Sequence, residues 1–189
     1  MANIMGTSGD DIDNLGAALV ELGNNGASTE RDIIQMSQGM AAAAAVVGMA
    51  ESDVLGFANA FASVGIEVEA GGSSFSRVLT DMAKAAAQGG DDLETFAEVA
   101  GMSAEAFATA FAEDPADAFA AFISGLGDIQ EAGGDVFTVL DELGMSDVRV
   151  SRALLSMATS GDLLTDSLEL GAKAWGENTA LADEAAKRY

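Results

Sequence analysis

Apolar residues recur at spacings of three and four along most of the chain, which is the pattern of helices that bury one face. Glycines interrupt this pattern at intervals and are typical stop signals for helices. The first apolar stripe runs from Ile12 to Leu22 and predicts a helix that ends at Gly23.

The second and third predicted helices have recognisable signals at their ends. Ser28 or Thr29 can cap a helix that extends through Val47, because a side-chain oxygen there can accept a hydrogen bond from a free amide of the first turn. A third helix is predicted from about 52 to 64. Gly65 ends it, since glycine adopts the left-handed conformation of a helix C-terminus readily.

The segment "SVGIEVEAGGSSFSRV" (63–78) breaks the helical pattern with alternating apolar and acidic residues. This alternation predicts an extended connector, or one short strand, over 66–69 with its apolar side chains facing inward. Ser73 or Ser74 then caps a fourth helix, which is predicted to stop at the glycine pair 89–90.

The second half of the chain shows the same alternation of helix start signals and glycine stop signals. The predicted helix starts are the region of Leu93, Ser103, the cap and proline pair Asp114-Pro115, Asp135, Ser146 and Asp162. The predicted stops are Gly101, the pair 133–134, Gly144 and Gly161. The last helix is expected to continue to Tyr189.

These signals predict an all-α fold: an irregular bundle or array of about nine to ten short helices joined by glycine-terminated turns, with a long C-terminal helix. We expect two parts, a helical core segment over 1–161 and the C-terminal helix over 162–189.

A short unit recurs at three of the turns, as "GMA" at 48–50 and "GMS" at 101–103 and 144–146. Its glycine suits the left-handed position after a helix, its methionine can pack on a neighbouring helix, and its serine can cap the next helix. The irregular spacing indicates a turn device and not a tandem repeat.

Composition and charge narrow the function. The chain has 189 residues, 49% of them hydrophobic, and 31 Asp and Glu against eight Lys and Arg, for a formal net charge of −23. Such a chain should repel nucleic acid and anionic lipid headgroups. It contains no histidine and no cysteine, which excludes thiolate chemistry, disulfides, and the commonest general base and metal ligand.

No export or membrane segment is predicted. The N-terminus lacks a basic region followed by an apolar one, so we do not expect a secretory signal there. The apolar stretch at 40–50 meets Glu51 and Asp53 well short of the roughly 20 residues that cross a bilayer, and we interpret it as part of a buried helix.

One stretch has part of a calcium-loop pattern. Asp11, Asp13 and Gly16 fall at the right spacing, but Leu15 and Leu22 stand where such a loop needs oxygen ligands. We therefore predict no metal and no cofactor.

Other candidate site residues also favour structural interpretations. The glycine pairs at 71–72, 89–90 and 133–134 lack the preceding strand and the lysine of a phosphate loop and are predicted to end helices. Glu67 and Glu69 are expected on a solvent-exposed face beside no evident pocket. Trp175, the only tryptophan, is expected to pack. We assign no catalytic, cofactor-binding or metal-binding residue.

Four stretches of the sequence, in order, resemble the core region of the tail tape measure proteins of long-tailed bacteriophages and related tail-like particles. They are "LGNNGASTERDI" (22–33), "LGFANAFASVGIEVEAGGSSFSRVLTDMAKA" (55–85), "FAEVAGMSAEAFATAFAEDPADAFAAFISGL" (96–126) and "KAWGENTALADEAAKRY" (173–189). They are spread in this order over residues 22–189, which is nearly the whole length of the chain.

The resemblance implies a scaffold and not an enzyme. Tape measure proteins are long helical chains around which tail tube subunits polymerise; their length sets the tail length, and they leave the tube ahead of the DNA at infection. The implied partners are the tail tube protein, tail assembly chaperones, tail tip or baseplate proteins and further copies of the chain, with no direct binding of nucleic acid or membrane. The implied location is the lumen of the tail tube of the virion, after synthesis in the bacterial cytoplasm. The 189 residues would be a segment of a longer protein.

Two alternatives remain open at this point. An acidic helical interaction, adhesion or toxin-like module without catalytic activity would have a similar composition. A cofactor-free hydrolase with paired carboxylates would need Glu67 and Glu69 to cluster with distant acids in a deep pocket.

Overall fold

The computed structural model describes residues 1–179 and residue 186, and this part of the chain is helical without strands. Eleven α-helices lie within it: α1 (Ala2–Met5), α2 (Ile12–Asn25), α3 (Glu30–Val47), α4 (Glu51–Ser63), α5 (Val68–Gln88), α6 (Asp91–Val99), α7 (Ala104–Glu113), α8 (Pro115–Glu131), α9 (Val136–Glu142), α10 (Val148–Ala158) and α11 (Leu163–Glu177). A 3₁₀ turn, Gly9–Asp11, precedes α2. The predicted all-α array is therefore confirmed.

The repeated glycine-methionine unit ends three of these helices in the same way. Gly48, Gly101 and Gly144 have φ angles of +75°, +70° and +66°. The following methionine amide then donates to the carbonyl oxygen five residues earlier, at N···O distances of 3.0, 2.8 and 2.6 Å. These bonds form a Schellman motif, which satisfies carbonyls that the end of a helix leaves free. Gly65 ends α4 with the same geometry, as predicted.

Several helix starts carry the predicted side-chain caps. Thr29 and Asp32 form a reciprocal capping box at α3, and the Ser103 hydroxyl accepts from the Ala106 amide at α7. Asp114 caps α8, with Pro115 in its first turn. At α10 the prediction is wrong by one residue: the cap is Asp147 and not Ser146, because a carboxylate at that position reaches two amides of the first turn.

Gly23 does not end the first long helix, contrary to the prediction. Helix α2 continues to Asn25. The absence of a side chain at Gly23 makes room for the start of α3, since a Cβ there would lie only 2.5 Å from Cγ of Glu30.

The predicted connector at 66–69 and the helix start at Ser73 or Ser74 are also wrong. Helix α5 begins at Val68 and runs through the glycine pair 71–72. The reason is a close crossing with α3: a Cβ on Gly72 would lie 3.0 Å from Cα of Gly39. The pair therefore permits close packing of two helices and ends neither.

Helix α11 packs against α2 and α4. Its crossing with α4 also depends on glycine, because a Cβ on Gly56 would lie 3.0 Å from Cα of Leu168, and one on Gly171 would lie 3.0 Å from the Ser52 carbonyl oxygen. The expected continuation of this helix past Asn178 is wrong, since α11 ends at Glu177 with Asn178 left-handed. Of the residues predicted to continue it, 180–185 and 187–189 lie outside the described part of the chain.

Phenylalanines from both halves of the chain fill one continuous core. The rings of Phe57 (α4), Phe75 (α5) and Phe119 (α8) have centroids 5.0–5.1 Å apart. Phe96 and Phe122 continue the cluster, 5.1 Å apart. Each such pair adds about 0.5–1.5 kcal/mol beyond the burial of its surface. The aromatic cluster thereby joins the early helices to α6 and α8.

Candidate functional surface

An apolar groove of about 670 Å³ opens on the surface beside α9 and α10. Phe137 and Val148 line it with 67% and 66% of their surface exposed. Val136 and Leu155 add further apolar lining. Large exposed apolar side chains that share one depression are typical of interaction sites.

Side-chain caps fix the backbone of the helix starts that carry these two exposed residues. Asp135 precedes Phe137, and its carboxylate accepts from the amides of Phe137 and Thr138 and from the Thr138 hydroxyl. The side-chain and backbone bonds from Thr138 lower the pKa of Asp135, because they stabilise the ionised form. Asp147 caps α10 in the same way, directly before Val148.

Arginines concentrate at this end of an acidic chain. Arg152 lines the apolar groove and also, with Arg149, a neighbouring polar cavity of about 490 Å³. On α5, Arg77 donates to the carbonyl oxygen of Gly144 and pairs with Asp81, so it ties the turn between α9 and α10 to α5. These three arginines are a large share of the chain's eight Lys and Arg.

Glu67 and Glu69 line the polar cavity opposite Arg149 and Arg152. Both glutamates are exposed, as expected, but the expectation that no pocket lies beside them is wrong. The cavity exists because α5 begins at Val68, which directs this segment toward α10. In such an open setting, charges of opposite sign interact weakly.

The other residues that the sequence offered as possible site residues lie where they contribute to the fold. The Asp11 carboxylate accepts from the Ser8 hydroxyl and the Asn14 amide, and no group of three or more acidic residues in the described part of the chain is arranged to hold a metal ion. Trp175 packs, partly buried, against the core. The glycine pairs 89–90 and 133–134 follow helix ends, as predicted.

Two groups of polar side chains within the fold were not predicted from the sequence. The side chain of Asn59 accepts a hydrogen bond from Ser28 at 2.6 Å and donates one to Ser167 at 2.9 Å, which ties α4 to α11 and to the loop before α3. All three side chains are buried. Their polar atoms satisfy one another, which is the condition for burying them at little cost.

The second group is acidic and lies where α4 and α8 begin. Burial, followed by the negative charge of Asp114, raises the pKa of Asp53 to about 6, and Asp117 adds to the shift. Asp53 is therefore held in a place that disfavours its ionised form.

In comparisons with known proteins, no family model matched the chain, and neither a curated protein nor a solved structure did. Within the described residues, none of the helices combines the length and the apolar character needed to cross a bilayer. These comparisons therefore assign no function to the groove or to the arginines beside it.

Proposed function

We propose that the chain is a segment of a phage tail tape measure protein, which scaffolds assembly of the tail tube, helps to set tail length and leaves the tube with the DNA at infection. The proposal rests first on the resemblance of four stretches that follow one another, in order, over residues 22–189. The partners are then the tail tube protein, assembly chaperones, tip or baseplate proteins and other copies of the chain.

The observation that best supports this role is the local completeness of the helix ends. Turns at Gly48, Gly65, Gly101 and Gly144 close helices with bonds between residues at most five positions apart. The side-chain caps of α7 and α10, which follow two of these turns, are equally local. Such turns keep their hydrogen bonds when helices separate. A bundle built in this way can open into a string of short helices that keep their ends, and it then loses side-chain packing and the few hydrogen bonds between elements, such as those of Asn59.

Two physical requirements of a tube lumen bear on this picture. A compact domain of this length has a radius of gyration of about 16 Å, whereas a continuous helix would measure roughly 280 Å. Isolated helices shorter than about 12–15 residues are marginal in water, so an opened chain needs contacts from tube subunits or other copies. The net charge of −23 suits a lumen through which DNA passes, because like charges repel.

The deciding experiment changes the length of the segment in the full-length protein at boundaries that the structure supplies. Deleting residues 90–161, which contain α6 to α10, removes helices between two glycine turns, and duplicating the same residues is the matched control. If the segment acts as a ruler, tails in electron micrographs should shorten with the deletion and lengthen with the duplication, each by on the order of 100 Å.

Two results would contradict the ruler role. Tails of normal length in both variants would show that the segment does not contribute to length. Loss of all tails on deletion, together with normal length on duplication, would indicate a compact body needed for initiation.

A further inference from the structure

The groove beside α9 and α10 presents an apolar surface next to an arginine on an otherwise acidic protein. We propose that this groove is a head-to-tail contact site between copies of the chain, and that its occupant is the start of α2, around Ile12, of a second copy.

Exposure selects the two partner surfaces. Of the large apolar side chains that are strongly exposed in the described part of the chain, Phe137 and Val148 line the groove. The others are Ile4, Ile12, Ile34 and Val46. Ile12, 54% exposed, is the member of this second set that has a carboxylate on each side of it in sequence.

Charge complementarity argues for Ile12 as the group that enters the groove. Arg152 is the charged residue in the groove lining, and Arg149 lies on the same helix nearby. Asp11 and Asp13 flank Ile12, and Asp13 is exposed. An isoleucine between two carboxylates therefore matches an apolar groove with an arginine at its border. With 31 acidic against eight basic residues in the chain, carboxylates would meet carboxylates over much of the remaining surface and be repelled.

The two surfaces lie at opposite ends of α4. The Thr7 hydroxyl, shortly before Ile12, donates to the Glu51 carboxylate at 3.0 Å, where α4 begins. At the other end of α2, a Cβ on Gly26 would collide with the Asn59 amide, so α2 runs in the same direction as α4. Ile12 is thus at the beginning of α4.

The groove is at the far end. Val64 and Gly65, which follow α4, share the polar cavity with Arg152, and Arg152 also lines the groove. The 13 residues of α4 separate the two surfaces by about 20 Å along the helix axis. A single chain therefore cannot bury its own Ile12 in its own groove, and a second copy can.

A contact between two different surfaces of identical chains is heterologous and leaves one of each free at the ends of a growing row. One groove and one helix start make a small interface, so the association should be weak and concentration-dependent. It should also weaken as salt is added, because salt screens exposed charges.

Sedimentation velocity of the 189-residue chain over a range of concentrations tests the contact. The average mass of the natural sequence should rise with concentration, and Phe137→Ser should abolish the rise. Val46→Ser is the matched control, because Val46 is 85% exposed and lies outside the groove, and it should associate like the natural sequence. A natural chain that stays monomeric, or a Phe137→Ser chain that still associates, would overturn the proposal.

Charge reversal tests the pairing. Arg152→Glu should prevent association, as should Asp13→Arg, and the two changes combined in one chain should restore it because the charges again have opposite signs. Circular dichroism should confirm that each variant remains helical. Failure of the combined variant to associate better than both single variants would contradict the pairing.

Cross-linking tests the head-to-tail arrangement directly, since the chain has no natural cysteine. Chains with Gly9→Cys, close before Ile12, and chains with Ser146→Cys, in the groove lining, are mixed in equal amounts under mild oxidation, so that Ile12 and Phe137 both stay in place. In an equal mixture, random pairing gives twice as much mixed dimer as either like pair, so mixed dimers should clearly exceed that ratio. A ratio at or below the random value would reject the arrangement. None of these results depends on the proposed tail function, which is tested separately by tail length.

Discussion

Two regions of the molecule differ in how closely their helices pack and in how much apolar surface they expose. At the crossings of α3 with α5 and of α4 with α11, glycines let the helix backbones approach each other closely. At the α9 and α10 end, short helices with strong caps hold Phe137 and Val148 out in solvent. In the first region the apolar surface is buried where helices pack together, whereas in the second region apolar side chains stay exposed to solvent.

The difference teaches where substitutions should be felt. In the closely packed region, one added methyl group meets backbone atoms that cannot move without shifting a helix. In the groove, removal of a whole ring leaves no cavity, because solvent already surrounds it. The predictions below test this contrast, in order of decreasing expected effect on stability.

Gly125→Ala should be the most damaging of these changes. Gly125 lies on α8 against the end of α6, where a Cβ would overlap the Val99 carbonyl oxygen. We expect a loss of about 3 kcal/mol or more in the free energy of unfolding, because helices must separate to admit the methyl group. Chemical denaturation followed by circular dichroism measures it.

Gly176→Ala is the control for that variant. Gly176 lies within α11 and has open space where its Cβ would be, so alanine should stabilise the protein by about 0.5–1 kcal/mol through its better helix propensity. Equal effects at Gly125 and Gly176 would show that the α6 and α8 contact is not close.

Asn59→Ala should cost about 2 kcal/mol. The change leaves the buried hydroxyls of Ser28 and Ser167 without the partner that now satisfies them. Asn25→Ala is a suitable comparison, since Asn25 is exposed and its side chain bonds only within the last turn of α2. If thermal and chemical denaturation gave the two variants the same stability, the role of Asn59 in joining α4 to α11 would be contradicted.

Asp53→Asn should stabilise the protein at pH 7 by about 1–2 kcal/mol, after allowance for solvent screening. The folded-state pKa of Asp53 is raised to about 6 from an ordinary 3.8, so the stability that its protonated form provides is fully present below about pH 3.8. That stability is lost as the pH rises through 6.

The difference in unfolding free energy between Asp53→Asn and the natural sequence isolates this group from the other carboxylates. The difference should therefore grow between pH 4 and pH 7 and then level off. A difference that is constant with pH would show that burial and the charges of Asp114 and Asp117 do not raise the pKa of Asp53.

Phe137→Ser should have the smallest effect on stability, within about 0.5 kcal/mol, because most of the ring is already exposed. The same variant is expected to abolish association of the chain. A large loss of stability would place Phe137 in the core and remove the contrast between the two regions.

The sequence predicted the turns well because their bonds are local. Each turn at Gly101 and Gly144 needs only the glycine, the methionine that follows it and the carbonyl five residues before that methionine. Asp114 and Pro115 likewise form the start of α8 without help from distant residues. The absence of strands follows from the same periodicity. From the sequence we assigned no residue to a functional site. The groove was not predicted either, because no local pattern marks which side of α9 and α10 stays uncovered.

The sequence by itself determined the helical class of this protein, most of its helix ends and its strongly negative charge, because each depends on composition or on residues a few positions apart. Only the tertiary structure decided the meaning of Gly23 and of Gly71 and Gly72. A glycine that ends a helix and one that lets another helix approach are identical in sequence. The difference lies in what α3 packs against them: the side chains of Glu30 and Met36 at Gly23 and Gly71, and the backbone of Gly39 at Gly72. Tertiary structure likewise decided that Phe75 is buried and Phe137 exposed, because exposure depends on which helix faces remain without a neighbour.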